Sequence, residues 1–76
     1  MDYILTGHAR TQMLLRGVTE LEVIYILQMH TVTYPANHGG TTLQGKLENG
    51  KIVRIWVTNS LPLREPIIIK SLVGED

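Results

Sequence analysis

Seventy-six residues, with seven basic and seven acidic side chains, carry a formal charge of zero and include no cysteine. That length allows one domain near the lower limit for an unassisted core, because so short a chain buries only roughly 60–65% of its unfolded surface. The missing cysteines exclude a disulfide staple and a thiolate metal site, and the neutral balance argues against holding nucleic acid by bulk charge alone.

The opening, MDYILTGHAR, has no basic flank and no long apolar run, so neither a leader nor a membrane span is expected. Tyr3-Ile4-Leu5 suits a short strand. Thr6 is a good N-cap for a helix over 7–16, and Gly17 suits the left-handed position that ends it. Within that helix His8, Gln12 and Arg16 recur at every fourth residue and line one edge, beside the apolar Ala9 and Met13. Thr19-Glu20-Leu21-Glu22 reads as a capping box for a second helix over 20–30, with Val18 and Val23 as its hydrophobic staple. The apolar surface of this helix is wide enough to lie against a sheet and the first helix together. Two early glutamates and the late His30 complement its dipole.

After His30 the period changes. Thr31-Val32-Thr33-Tyr34 is β-branched and aromatic, and Pro35 stops it or places it at an edge. Residues 36–40 form a loop. Thr41 to Leu47 and Lys51 to Thr58 then make a hairpin around Glu48-Asn49-Gly50. A three-residue loop with Gly50 left-handed aligns Leu43, Gly45 and Leu47 with Val53 and Ile55, and separates the two faces better than an Asn-Gly turn. That register puts Thr42, Gln44 and Lys46 with Ile52, Arg54 and Trp56 on the opposite face. A loop over 59–65 leads to a last strand from Pro66 to about Val73. The expectation for 1–76 is a single α+β domain, with two N-terminal helices packed on one face of a three- to four-stranded antiparallel sheet.

His8-Ala9-Arg10, Met13 and Arg16-Gly17-Val18 resemble the opening of a small bacterial family of domains of unknown function, number 4258, with Gln12 where that family often has a second arginine. The family is similar to the RelE-like toxins of the barnase–EndoU–colicin–RelE group. The resemblance implies a RelE-like fold, a metal-independent ribonuclease acting in the cytoplasm as the toxin of a toxin–antitoxin pair, and RNA and an antitoxin protein as partners. Such cleavage needs a base for the 2′-hydroxyl, an acid for the leaving oxygen and cations for the phosphorane.

His8 is the titratable candidate for acid or base, and Arg16 joins it as a catalytic cation. Arg10 and Arg54 are candidates for phosphate with Lys46 and Lys70 adding charge, and Trp56 or Tyr34 for stacking a base. Each has a plainer structural role beside it. His8 suits the first turn as a cap, Arg16 suits helix-end carbonyls, Arg10 and Lys46 suit solvent, and Trp56 suits sheet packing. Many RelE-like toxins carry a functional Tyr or His near the last strand, where this chain has Lys70-Ser71-Leu72-Val73. Together with neutral charge, that departure favours a second reading, a non-catalytic protein-interaction domain of the same fold, homodimeric through its small core and edge strands. His8, His30 and His38 lack metal-ligand spacing, and no cofactor signature is present.

Overall fold

The computed structural model describes residues 2–75. Capping chemistry sets both helices. α1 (Gly7–Arg16) begins at Thr6, whose Oγ1 accepts the Ala9 amide at 3.2 Å, and ends at Gly17 with φ of 64°. α2 (Glu20–Met29) opens on a complete capping box: Thr19 Oγ1 accepts the Glu22 amide at 3.2 Å, and Glu22 Oε1 accepts the Thr19 amide at 2.9 Å. His30 closes this helix. Its Nδ1 lies 3.1 Å from the carbonyls of both Ile26 and Leu27, and since carbonyls only accept, that nitrogen carries the hydrogen.

The strands are β1 (Tyr3–Leu5), β2 (Val32–Pro35), β3 (Thr41–Lys46), β4 (Ile52–Val57) and β5 (Ile67–Glu75), in the sheet order β1-β5-β4-β3-β2. β1 runs parallel to β5 and every other neighbour is antiparallel. The expected three- to four-stranded antiparallel sheet is therefore corrected to a mixed sheet of five. The parallel pair forms because β1 meets the far end of the chain: Ile67 donates its amide to the Asp2 carbonyl at 2.9 Å, and Thr6 donates to the Ile69 carbonyl at 3.1 Å. The hairpin has the expected register, with Leu43 opposite Ile55 and Gly45 opposite Val53. Leu47 donates to the Lys51 carbonyl at 2.8 Å and Gly50, at φ 92°, donates to Leu47 at 2.9 Å, closing a three-residue loop.

One face of the sheet holds the core. Leu43, Val53, Ile55, Val57, Ile67, Ile69 and Leu72 are buried there with Ala9, Val18, Val23, Ile26 and Leu27 from the helix layer. α1 lies over β5, and α2 lies over β3 and β4. Gly45 lets α2 approach closely, since a Cβ there would stand 2.9 Å from Ile26 Cδ1 and 3.2 Å from His30 Cα. No helix among the described residues is long and apolar enough to cross a membrane.

Two further ties fix the loops around this core. Asn59 Oδ1 accepts the Ile68 amide at 2.9 Å, while its Nδ2 donates to the carbonyls of Arg64 and Pro66 at 2.9 and 3.1 Å. Lys51, just before β4, reaches across to α1. Its Nζ donates to the Arg16 carbonyl at 2.8 Å and the Gly17 carbonyl at 3.2 Å. The helix-end carbonyls for which Arg16 was a candidate thus go to Lys51, a cation placed where the helix dipole is negative.

Candidate functional site

The face of the sheet turned away from the helices has no layer of secondary structure over it. Strand register arranges its side chains in rows. Tyr34, Thr42, Trp56 and Ser71 form one row across β2, β3, β4 and β5, and Val32, Gln44, Arg54 and Val73 form the next. Lys46, Ile52 and Glu75 make a third. A β-bulge deepens the first row. Trp56 faces Ser71 but Val57 faces Ile69, so Lys70 is the extra residue and leaves the core side together with Ser71.

Trp56, Lys70 and Ser71 meet Ala36, Asn37 and His38 around a cavity of about 290 Å³. The loop after β2 forms its other wall, and Lys70 holds that loop by donating from Nζ to the Gly39 carbonyl at 3.1 Å. Gly40 is required for the loop's return to the sheet: its φ is 81°, and a Cβ there would lie 2.1 Å from the Val57 carbonyl oxygen. Residues that carry an indole, an ammonium, a hydroxyl and an imidazole thus line one concavity. Within the same row Thr42 is wholly buried, and its Oγ1 has no hydrogen-bond partner among the described residues.

The sequence candidates do not all come together here. Trp56, Arg54 and Lys46 share the open face, as the hairpin register implied. Arg54 is already engaged, with Nε donating to Gln44 Oε1 at 2.8 Å and Nη1 paired to Glu75 Oε1 at 2.6 Å. Lys46 is exposed at the end of β3. His8, Arg10 and Arg16 lie on α1, in the layer on the other side of the sheet, and all three are exposed. His8 and Arg16 sit at opposite ends of that helix, about 12 Å apart along its axis by helix rise.

Sequence reasoning left His38 out of the site, counted Lys70 only as added charge, and weighed Ser71 only as a weak substitute for the proton-transfer residue of the RelE-like pattern. The bulge had a signal: apolar residues alternate at Ile67 and Ile69 and then slip by one to Leu72, the phase change an extra residue makes. His38 had none, because a loop residue carries no periodicity. Elsewhere, the Tyr3 hydroxyl donates to the Glu20 carboxylate, linking β1 to the start of α2. That hydrogen bond, more than desolvation or the Glu20 charge, raises the phenol above its ordinary range. No three His or acidic side chains among the described residues gather closely enough to hold a metal ion. No protein-family model, no curated protein and no solved structure matches this chain.

Proposed function

We propose that the open face of the sheet is the working surface of a RelE-like domain that engages single-stranded RNA. The observation that carries this reading is the Trp56 cavity, where a stacking surface sits beside the ammonium of Lys70 and the imidazole of His38. A base stacks against the indole, and the adjoining phosphate takes the two Lys70 N–H donors that the Gly39 contact leaves over. In a ribonuclease of this design, proton transfer runs through His38, the titratable group at the cavity. His8, the candidate from the sequence, lies in the other layer with Arg16.

Trp56 is the chain's one tryptophan, so its fluorescence reports on this cavity alone. Titration with a short single-stranded RNA should quench it, with an affinity that falls steeply as salt rises. Inducible expression in bacteria should arrest growth and cleave RNA for wild type and His8→Ala, but not for His38→Ala. Unchanged tryptophan emission at saturating RNA concentration would rule the reading out. A second reading, an antitoxin-like protein partner on the same face, is favoured by the neutralised Arg54–Glu75 pair and the exposed Val32 and Tyr34. Quenching by a protein partner that survives high salt would decide for it.

A further inference from the structure

Among the described residues, the three most exposed large apolar side chains flank one turn. Leu14 is 86% exposed, Leu21 79% and Leu15 74%, on either side of the Gly17–Thr19 connection between α1 and α2. Large apolar residues scattered singly over a surface need no explanation, but Leu14 and Leu21 each line a concavity, one on either side of the turn. The corner is also concave. A groove of about 620 Å³ runs along the turn, lined by Arg10, Met13, Leu14, Gly17, Val18 and Thr19. The corner therefore offers both a knob, Leu21, and a hole under Leu14.

We propose that this corner binds a second copy of the chain, in a two-fold dimer that leaves the open sheet face free. Charge identifies the occupant. Leu21 stands between Glu20 and Glu22, while the groove has Arg10 at its wall and Arg16 at the end of the same helix. Neither arginine forms an ion pair among the described residues. Knob and hole thus carry opposite charge on the same molecule, the requirement for a self-complementary surface. A two-fold axis places Leu21 of each copy in the partner copy's groove and Glu20 opposite Arg10, twice over. Because each knob is used by the partner whose own knob is used in return, the assembly closes at two and does not run on as a fibre.

Sedimentation of the full chain across micromolar concentrations is the test. The expected result is a reversible monomer–dimer equilibrium. Leu21→Glu should raise the dissociation constant by roughly a hundredfold or more, the scale of losing a buried apolar anchor and burying a charge in its place. Leu21 is exposed in the monomer, so this variant should keep the wild-type circular dichroism spectrum, and also the wild-type melting temperature when both are measured at concentrations too low for the dimer. Arg10→Glu and Glu20→Lys should each weaken the dimer by about tenfold, and the double variant should regain most of that loss because the cross-copy pair is re-formed with the charges reversed. Glu20→Lys also removes the Tyr3 contact, and Arg10 and Glu20 both act on that phenol within one chain, so recovery counts for the intermolecular pair only where it appears in the dissociation constant and not in the stability of the monomer. A chain that stays monomeric throughout, a dimer that survives Leu21→Glu, or a double variant no better than the singles overturns the proposal. The RNA reading is independent: Trp56→Ala should leave the dimer unchanged.

Discussion

One methyl group at Gly45 probes how tightly α2 is seated on the sheet. In Gly45→Ala the new Cβ would stand 2.9 Å from Ile26 Cδ1 and 3.2 Å from His30 Cα. Carbon atoms settle at about 3.5–4.0 Å, so both neighbours must retreat by several tenths of an ångström. Ile26 is wholly buried and has no solvent to turn into, and His30 Cα belongs to the backbone that caps the helix. Overpacking of this kind costs about 1–3 kcal/mol, and stiffening of the unfolded chain returns about 0.4–1 kcal/mol. The net is a loss of about 1–2 kcal/mol, or roughly 5–15 °C in Tm for a domain this small. Urea and thermal unfolding followed by far-ultraviolet circular dichroism would measure it. Gly7→Ala is the matched control, since no heavy atom lies within 4 Å of its Cβ and it sits at the start of α1, so it should be neutral or stabilising. In the double variant Gly45→Ala/Ile26→Val the clashing methyl is gone, so the two losses should sum to less than their separate values. Equal stability for Gly45→Ala and Gly7→Ala would refute the close approach of α2 to β3.

Three other changes have defined outcomes. Lys51→Met keeps the apolar stem but removes the donors to the Arg16 and Gly17 carbonyls, and should cost about 0.5–1 kcal/mol in urea unfolding; a value of zero would mean that water replaces the cap fully. Thr42→Val replaces a buried hydroxyl that has no partner by a methyl of the same shape, and should stabilise by about 1 kcal/mol, whereas a destabilised variant would show that the hydroxyl is in use. The Tyr3–Glu20 bond gives a pH signature. The folded-state phenol is raised, so its contribution is fully present below the unfolded value near about pH 10 and is lost as pH rises through the higher folded value. The stability gap between wild type and Tyr3→Phe should therefore narrow above pH ~10, and a gap that stays constant through that range would contradict the assignment.

The parts of the fold set by neighbouring residues were legible in the sequence. Thr6, Gly17 and the Thr19–Glu22 box fix the helix ends through contacts within four residues, and Gly50 fixes the hairpin register. The pairing of β1 with β5 was not legible, because Tyr3-Ile4-Leu5 shows a strand but nothing in it names a partner at the other end of the chain. The site divides the same way. Arg54, Trp56 and Lys46 on one face follow from alternation within the hairpin. Which helix residues join them depends on the layer that covers the sheet, and α1 falls on the opposite side. Lys51 as a helix cap and His38 beside Trp56 are products of packing between segments distant in sequence, for which neither composition nor period carries information.

The order of the strands also bears on how the chain is made. β5 follows the six other elements in chain order, yet it lies between β1 and β4 and carries α1 on its inner face. A nascent chain that has reached residue 60 holds the hairpin and α2 but gives β1 no strand to join and α1 no strand to lie on. Its Leu5 and Ala9, buried in the finished protein, then have no cover. Folding is thereby deferred until β5 has been made and is dominated by contacts between segments far apart in sequence, an arrangement that slows folding for a given size. A truncation that removes β5 alone should take the whole domain with it, rather than leave a smaller one behind.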